Sequence, residues 1–321
     1  MKIVVTQTIP EKGLRVLREA FGAEAVLVTS QDGPIPRAKL LAAVRGADAL
    51  LPMLTDRIDG AVLDAAGPGL RIVANNAVGF DNIDLTAARA RGVAVSNTPD
   101  VLTETTADLA WTLLMAAARR IGEGERYLRA GQWTCWSPMQ LLGMDIHGAT
   151  LGVFGMGRIG QVMARRAAGF SMRVLYTDVN RLPEDAENAL GVVFTDKAAL
   201  LREADFLTVH CPLTPDTRHA FSDAEFAAMK RTAVFVNTSR GPVVDEAALA
   251  RALRSGEIFA AGIDVFEKEP RVHPDLLDCE NAVLIPHLGS ASLETRACMA
   301  ALAASNIVAV LRGGEPPNRV A

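Results

Sequence analysis

The chain reads LGVFGMGRIG at residues 151–160, an apolar run that leads into three closely spaced glycines. Gly155, Gly157 and Gly160 have the spacing that allows a tight turn after a strand, lets backbone amides approach a pyrophosphate, and lets the next helix pack closely. A helix that begins near Arg158 would direct the positive end of its dipole at the phosphates. The stretch predicts a dinucleotide site, and the alternative is a structural glycine turn that binds no nucleotide.

An acidic residue ends the next apolar run and indicates which dinucleotide is preferred. Asp178 lies about twenty residues beyond the glycines, where a carboxylate accepts hydrogen bonds from the adenosine ribose and repels a 2′-phosphate. This arrangement favours NAD over NADP. Arg181 follows three residues later and could soften this preference, so NADP stays open as a second cofactor.

The composition points to small-molecule partners. The chain has 321 residues, of which 50% are hydrophobic, enough for two domains with substantial cores. Its formal net charge is -4 and no basic stretch is clustered, so neither nucleic acid nor an anionic membrane surface is an expected partner. We expect the apolar stretches to fall short of a membrane span, and the N-terminus reads directly as a strand without a signal peptide. These features predict a cytoplasmic protein.

The cysteines are widely spaced, without CxxC pairs and without histidines at metal-ligand spacing. Neither a disulfide framework nor a zinc site is therefore predicted, and no metal is expected. The four residues are Cys135, Cys211, Cys279 and Cys298.

Short apolar runs alternate with helix-like segments in both parts of the chain, a pattern that predicts parallel sheets covered on both faces. A helix over residues 102–120 is almost entirely apolar after its first turn, so we expect it to be buried on most sides. Another helix, over residues 294–311, could return to the first domain and make that domain discontinuous. The predicted strands are residues 3–6, 25–28, 49–54, 71–75 and 93–96, and, in a second series that begins at residue 149, 173–177, 206–209, 233–237, 260–263 and 282–285.

Three residues that could carry chemistry follow predicted strands, at the edge of an open α/β sheet where ligands bind. Arg240 comes soon after an apolar strand, and its guanidinium can grip a carboxylate with two parallel hydrogen bonds. Glu269 and His287 follow the next two strands. A carboxylate beside an imidazole favours the charged ring, so this pair could supply the proton that a carbonyl needs as it accepts a hydride.

Each of these residues also has a structural interpretation. Arg240 could be a helix-capping or surface arginine, and a single histidine after a strand is more often structural than catalytic. The case for catalysis rests on three suitable residue types at three strand ends of a dinucleotide-binding domain. The other histidines have no convergent partners in the sequence and are assigned structural roles; they are His147, His210, His219 and His273.

Together these motifs resemble the D-isomer-specific 2-hydroxyacid dehydrogenases over essentially the whole chain. The blocks that carry the resemblance are residues 76–84 (NAVGFDNID), residues 97–104 (NTPDVLTE), the glycine loop at 155–160, and the surroundings of Arg240, Glu269 and His287. Within the family the chain looks most like the glyoxylate and hydroxypyruvate reductases, because of residues 51–56 and 133–138.

The resemblance implies an α/β fold of two doubly wound parallel-sheet domains with a cleft between them. Residues 1–100 and 288–321 would form a flavodoxin-like substrate domain, and residues 101–287 a Rossmann domain that binds NAD. A homodimer formed through the cofactor domain is the expectation for this family. Trp136 would reach into the neighbouring subunit's active site or simply pack in the dimer.

The resemblance also implies roles for individual residues. His287 would donate a proton to the carbonyl with Glu269 as its partner, while Arg240 would bind the carboxylate and polarise the carbonyl. The other substrate contacts would be Met53 and Leu54, together with Val78 and Gly79 through their backbone amides. The cofactor contacts would be Gly155, Gly157, Arg158, Ile159, Gly160, Asp178, Cys211, Thr238, Ser239, Asp264, Gly289 and Thr106, with Cys211 and Thr238 contributing mainly backbone atoms.

The implied reaction is the reversible reduction of a small 2-keto acid, such as glyoxylate or hydroxypyruvate, to its D-2-hydroxy acid by NADH. Two alternatives stay open. One is a dehydrogenase of the same fold for another small acid, such as D-lactate, phosphoglycerate or phosphite. The other is a regulatory protein that senses NADH and binds other proteins while it retains the catalytic-looking residues.

Overall fold

The computed structural model describes residues 1–30 and 33–321, and the described residues form strands that alternate with helices along the chain. The strands are β1 (Ile3–Val5), β2 (Val26–Val28), β3 (Ala49–Leu51), β4 (Ile72–Ala74), β5 (Ala94–Ser96), β6 (Thr150–Phe154), β7 (Arg173–Thr177), β8 (Val192–Phe194), β9 (Phe206–Val209), β10 (Val234–Asn237), β11 (Ala260–Ile263) and β12 (Ala282–Leu284). The helices are α1 (Glu11–Phe21), α2 (Arg37–Ala43), α3 (Gly60–Ala66), α4 (Leu85–Ala90), α5 (Thr103–Ala118), α6 (Ile121–Arg129), α7 (Arg158–Ala168), α8 (Glu184–Leu190), α9 (Lys197–Glu203), α10 (Asp223–Ala228), α11 (Glu246–Ser255), α12 (Pro274–Leu277) and α13 (Leu293–Leu311).

The chain divides into two compact units. The first contains Met1–Leu102 together with Ser290–Ala321, and the second contains Thr103–Gly289. Both breaks fall two residues later in the chain than the expected domain boundaries, after residue 100 and before residue 288. The first unit is therefore built from two separate stretches of sequence.

The first unit is built on a five-stranded parallel sheet with the order β2-β1-β3-β4-β5. This is the flavodoxin-like order of a doubly wound sheet. The central strands are apolar throughout and fully buried, with no exposed surface on Ile3, Val4 or Val5. Such strands have helices on both faces, which explains why their sequences run apolar instead of alternating.

The helix α13 returns the chain to the first unit and packs against α1. The approach is close, because a Cβ on Gly13 would lie 2.7 Å from backbone atoms of Ala300. Within the described part of the chain, α13 is the one helix long and apolar enough to cross a membrane. The expectation that every apolar stretch falls short of a membrane span was therefore wrong on length and composition. Several of its residues, among them Ala300 and Ala304, lie in the core with Leu14 and Leu17.

The second unit is built on a seven-stranded parallel sheet with the order β12-β11-β10-β9-β6-β7-β8. The order reverses between β6 and β9, which pair directly, and ligands of open α/β sheets bind at such a reversal. Both units thus confirm the predicted fold class of two doubly wound parallel sheets. The strand β8 was not among the predictions, because it is a three-residue edge strand in which Val193 is exposed.

The helix α5 is buried along much of its length in the second unit, as its apolar sequence predicts. It packs against α7 and against the strands β10 and β11. At β11 the contact needs a glycine, since a Cβ on Gly262 would lie 2.8 Å from Cβ of Leu113.

Candidate active site

The glycine loop after β6 is shaped by two close backbone contacts. Gly155 has a φ of +99°, and a Cβ there would lie 2.6 Å from the amide nitrogen of Cys211. A Cβ on Gly160 would lie 2.2 Å from the carbonyl oxygen of Gly155. Only glycine fits at these two positions, because backbone atoms cannot move aside as a flexible side chain can.

Gly157 differs from the other two glycines because no protein atom requires it. A Cβ there would meet nothing within 4 Å, and the φ of −71° is open to any residue. Gly157 is also the N-cap of α7, and because a glycine has no side chain, the start of this helix has no side-chain cap. An open approach to the start of a helix suits a pyrophosphate, so these residues fit a bound dinucleotide.

Asp178 ties the end of β7 to the glycine loop. Its Oδ2 accepts a hydrogen bond from the amide of Met156 at 2.6 Å, and its Oδ1 accepts one from the amide of Asn180 at 2.9 Å. The carboxylate is thereby oriented at the carboxyl edge of the sheet. A carboxylate at this position can accept further hydrogen bonds from ribose hydroxyls.

The strands β10, β11 and β12 lie side by side at the other half of the sheet, with Asn237 opposite Ile263 and Ile263 opposite Leu284. The segments that follow their carboxyl ends carry the three residues predicted to perform chemistry, Arg240, Glu269 and His287. All three belong to the second unit.

Glu269 and His287 form a direct pair. The distance from Nδ1 of His287 to Oε2 of Glu269 is 2.9 Å, and each side chain is about a quarter exposed. Burial disfavours the charged form of Glu269, but the hydrogen bond and charge of His287, the amide of Phe266 and the charge of Arg240 outweigh it and lower the pKa of the carboxyl. Glu269 is therefore a carboxylate held against the imidazole.

Asp264, at the end of β11, holds the turn that carries His287. His287 has a left-handed backbone conformation with a φ of +53°, and its amide donates to the carbonyl oxygen of Asp264 at 2.8 Å. The side chain of Asp264 accepts the next two amides, from Leu288 at 2.5 Å and Gly289 at 2.8 Å. The carboxylate is fully buried, and burial raises its pKa. The hydroxyl of Thr106 donates to the carbonyl oxygen of Gly289 at 3.1 Å.

Asn237 plays a similar part for Arg240, and it was not among the predicted site residues. Its Oδ1 accepts hydrogen bonds from the amide and the hydroxyl of Ser239 at 3.0 and 2.9 Å, and its Nδ2 donates to the carbonyl oxygen of Arg240 at 3.1 Å. The side chain is buried. An asparagine at a strand end, followed by short polar residues, is a typical Asx-turn signal that could have identified it.

The loops that carry Arg240 and Glu269 are packed together through a glycine. A Cβ on Gly241 would lie 1.9 Å from the carbonyl carbon of Phe266 and 2.4 Å from the amide nitrogen of Glu267. The charge of Arg240 contributes to the lowered pKa of Glu269, so the two groups interact electrostatically.

The remaining cofactor-site candidates lie at the carboxyl edge of the same sheet. Cys211 is buried, and burial raises the pKa of its thiol to about 12, so it stays neutral and unreactive. The hydroxyl of Thr238 is buried without a hydrogen-bond partner among the residues described. Arg158 and Ile159 form the first turn of α7.

The substrate-site candidates Met53, Leu54, Val78 and Gly79 belong to the first unit, in segments that follow β3 and β4. Two asparagine side chains hold the second of these segments by its carbonyl oxygens. Asn97 donates to Val78 and Asn75 donates to Gly79, each at 2.8 Å. With their carbonyls turned to asparagines, the peptide units of this loop have a fixed orientation.

Trp136 belongs to the segment between α6 and β6, and its side chain is 77% exposed. Three other large apolar side chains of this segment are exposed as well; they are Trp133, Met139 and Leu142. His219 also pairs with a carboxylate, that of Glu267, at 3.0 Å, a contact that the sequence pattern did not indicate.

Residues 111–289, more than half of the chain, match the family model of the D-isomer specific 2-hydroxyacid dehydrogenase, NAD binding domain. A glyoxylate reductase from Korarchaeum cryptofilum is 51% identical over an alignment of 322 residues, gaps included. The alignment covers 99% of this chain and 95% of the relative. The chain belongs to the D-isomer specific 2-hydroxyacid dehydrogenases.

Solved structures agree with this assignment. The TT0316 protein from Thermus thermophilus is 47% identical with a TM-score of 0.92, and each chain is covered in full. An NADPH-dependent glyoxylate/hydroxypyruvate reductase from Sinorhizobium meliloti is 34% identical with a TM-score of 0.84, over 100% of this chain and 97% of the other. This dehydrogenase is therefore an oxidoreductase with an NAD-binding domain, as the sequence predicted, and NADP stays open.

Proposed function

We propose that this dehydrogenase reduces a small 2-keto acid, glyoxylate or hydroxypyruvate, to the D-2-hydroxy acid with NADH. The observation that carries the proposal is the 2.9 Å contact between His287 and Glu269, in the same unit as Arg240 and the glycine loop. The names of the relatives support the substrate class, since they include glyoxylate reductases and a glyoxylate/hydroxypyruvate reductase.

His287 is the proton donor in this proposal. Because its Nδ1 faces the carboxylate of Glu269, its Nε2 is the nitrogen that gives a proton to the carbonyl oxygen. Glu269 stabilises the protonated ring and keeps its orientation. Arg240 binds the substrate carboxylate and polarises the carbonyl. The bound dinucleotide supplies the hydride.

The cofactor lies along the carboxyl edge of the second sheet in this proposal. The glycine loop and the start of α7 hold the pyrophosphate, Asp178 binds the adenosine ribose, and Asp264 and Thr106 shape the nicotinamide end. The other proposed contacts are Arg158, Ile159, Cys211, Thr238, Ser239 and Gly289.

In the first unit, the proposed substrate contacts are the backbone amides of Val78 and Gly79, together with Met53 and Leu54. We also propose a cytoplasmic homodimer formed through the second unit, in which Trp136 is covered by the partner. The exposed apolar side chains around Trp136 support this part of the proposal.

Steady-state assays of the purified chain test the proposed function. Glyoxylate, hydroxypyruvate, pyruvate and phosphohydroxypyruvate are each offered with NADH and with NADPH, and phosphite is offered with NAD. The proposal predicts the highest kcat/KM for glyoxylate or hydroxypyruvate with NADH. A higher kcat/KM for another acid would mean that the other acid is the substrate. Tight NADH binding without turnover of any acid would instead indicate a regulatory protein.

A further inference from the structure

The guanidinium of Arg181 is held by a carboxylate of the following helix. Its Nε donates to Oε1 of Glu187 at 2.9 Å and its Nη2 donates to Oε2 at 2.8 Å, a two-pronged ion pair. The same guanidinium lies over the ring of Phe194, 5.3 Å from the ring centroid. Two parallel hydrogen bonds and a ring contact fix both its position and its plane.

Glu187 is in turn anchored from inside the unit. The hydroxyl of Tyr176, a buried side chain of β7, donates to Oε1 of Glu187 at 2.6 Å and accepts from the amide of Leu182 at 2.9 Å. Glu187 is buried, and the hydrogen bonds from Arg181 and Tyr176 lower its pKa to about 2. The acceptor for Arg181 is thus an anchored carboxylate that is charged at neutral pH.

Arg181 is close in sequence to the proposed ribose site. Arg181 follows Asp178 by three residues in the segment after β7, where an arginine can accommodate the 2′-phosphate of NADP. The chain therefore carries two opposed signals, an acid that repels a 2′-phosphate and an arginine that attracts one. The side chain of Arg181 is 62% exposed, so it is free to turn toward solvent once its partner is lost.

We propose that Glu187 is a cofactor-selectivity residue, which favours NADH by holding Arg181 in an ion pair and so withholding it from a 2′-phosphate. The proposal rests on the ribose site assigned to Asp178 above. Selectivity in this view has two parts, repulsion by Asp178 and retention of Arg181 by Glu187. Both parts concern binding and neither requires turnover.

The test measures dissociation constants of NADH and NADPH by fluorescence titration of the full chain, since the two dinucleotides differ only in the 2′-phosphate. Glu187→Gln should tighten NADPH binding about tenfold, because a freed guanidinium gains a charge-assisted hydrogen bond. NADH binding should stay within about twofold of the wild-type value. Glu184→Gln, the same change at an exposed residue of α8, is the matched control and should change neither constant.

Removal of Arg181 separates this proposal from the alternative in which Arg181 already contacts the 2′-phosphate. Arg181→Leu alone should leave NADPH binding unchanged, and Arg181→Leu combined with Glu187→Gln should abolish the gain. Weaker NADPH binding in Arg181→Leu alone would overturn the proposal, because it would mean that the arginine already contacts the 2′-phosphate. An unchanged ratio of the two constants in Glu187→Gln would overturn it too.

A second variant covers the case in which Glu187→Gln does not fold. Glu187→Asp keeps the charge but shortens the side chain, which breaks the bidentate ion pair with Arg181. This variant should also tighten NADPH binding relative to NADH binding. NADH binding by the wild-type chain tests the underlying site independently. If NADH does not bind, the proposed ribose site is wrong. If NADH binds but the ratio of the NADPH and NADH dissociation constants is the same in every variant, only the proposed role of Glu187 is wrong.

Discussion

Asp264 holds the backbone of His287 from two sides. Its carbonyl oxygen accepts the amide of His287 at 2.8 Å, and its carboxylate accepts the amides of the following Leu288 and Gly289. These three bonds stabilise the left-handed conformation of His287, whose φ is +53°. The imidazole is therefore positioned by the residue that directly follows β11 as well as by Glu269.

The first prediction concerns that positioning. Asp264→Asn leaves one acceptor oxygen for two amides, of which that of Gly289 is buried, so the free energy of unfolding should fall by about 1–3 kcal/mol. The kcat should fall as well, because the His287 turn loosens. Urea unfolding and steady-state kinetics measure the two effects. Asp196→Asn, the same change at the N-cap of α9, is the control and should leave kcat unchanged.

The second prediction concerns the charge beside the imidazole. Glu269→Gln removes the carboxylate that faces Nδ1 of His287 at 2.9 Å, so kcat should fall about 100-fold because the proton-donating ring loses its charged partner. Steady-state kinetics measure the loss. An unchanged kcat would mean that Glu269 has no electrostatic role.

The third prediction compares two glycines of one loop. Gly157→Ala meets no protein atom and should leave stability intact, but its methyl group should weaken NADH binding at least about tenfold. Gly160→Ala would place its Cβ 2.2 Å from a carbonyl oxygen and should cost about 1–3 kcal/mol of stability. Thermal unfolding and NADH titration of both variants check this contrast. If Gly157→Ala binds NADH as tightly as the wild type, the pyrophosphate is not bound by this loop.

The fourth prediction follows from the low pKa of Glu187. The pKa of Glu187 in the folded protein is about 2, against an ordinary value of 4.5. The contribution of Glu187 to stability is therefore complete above pH 4.5 and is lost as the pH falls toward 2. Glu187→Gln lacks this contribution at every pH. The loss of stability between about pH 6 and about pH 3 should therefore be smaller in the variant than in the wild type, as measured by urea unfolding. Equal losses would contradict the lowered pKa.

Much of the fold could be predicted because it depends on local patterns. The apolar runs that alternate with helix-like segments predicted both parallel sheets, since strands buried on both faces have continuous apolar sequences. The strand β8 was missed because three residues at a sheet edge carry little signal. Val192, Val193 and Phe194 after Gly191 are β-favouring residues after a turn glycine, which is the signal that was available.

The candidate site could be predicted only in part. Arg240, Glu269 and His287 follow strands, and topology alone carries them to one sheet edge. Asn237 carries an Asx-turn signal, but the supporting role of Asp264 depends on which backbone amides remain unpaired after a turn. That depends on backbone angles such as the positive φ of His287, which no spacing in the sequence reveals.

The central claim is that His287 donates the proton to the carbonyl. The most direct test is His287→Ala, with turnover of glyoxylate and NADH binding measured on the same preparation. The account predicts that turnover falls by a factor of at least about 100 while the dissociation constant of NADH is unchanged. Undiminished turnover in this variant would contradict it.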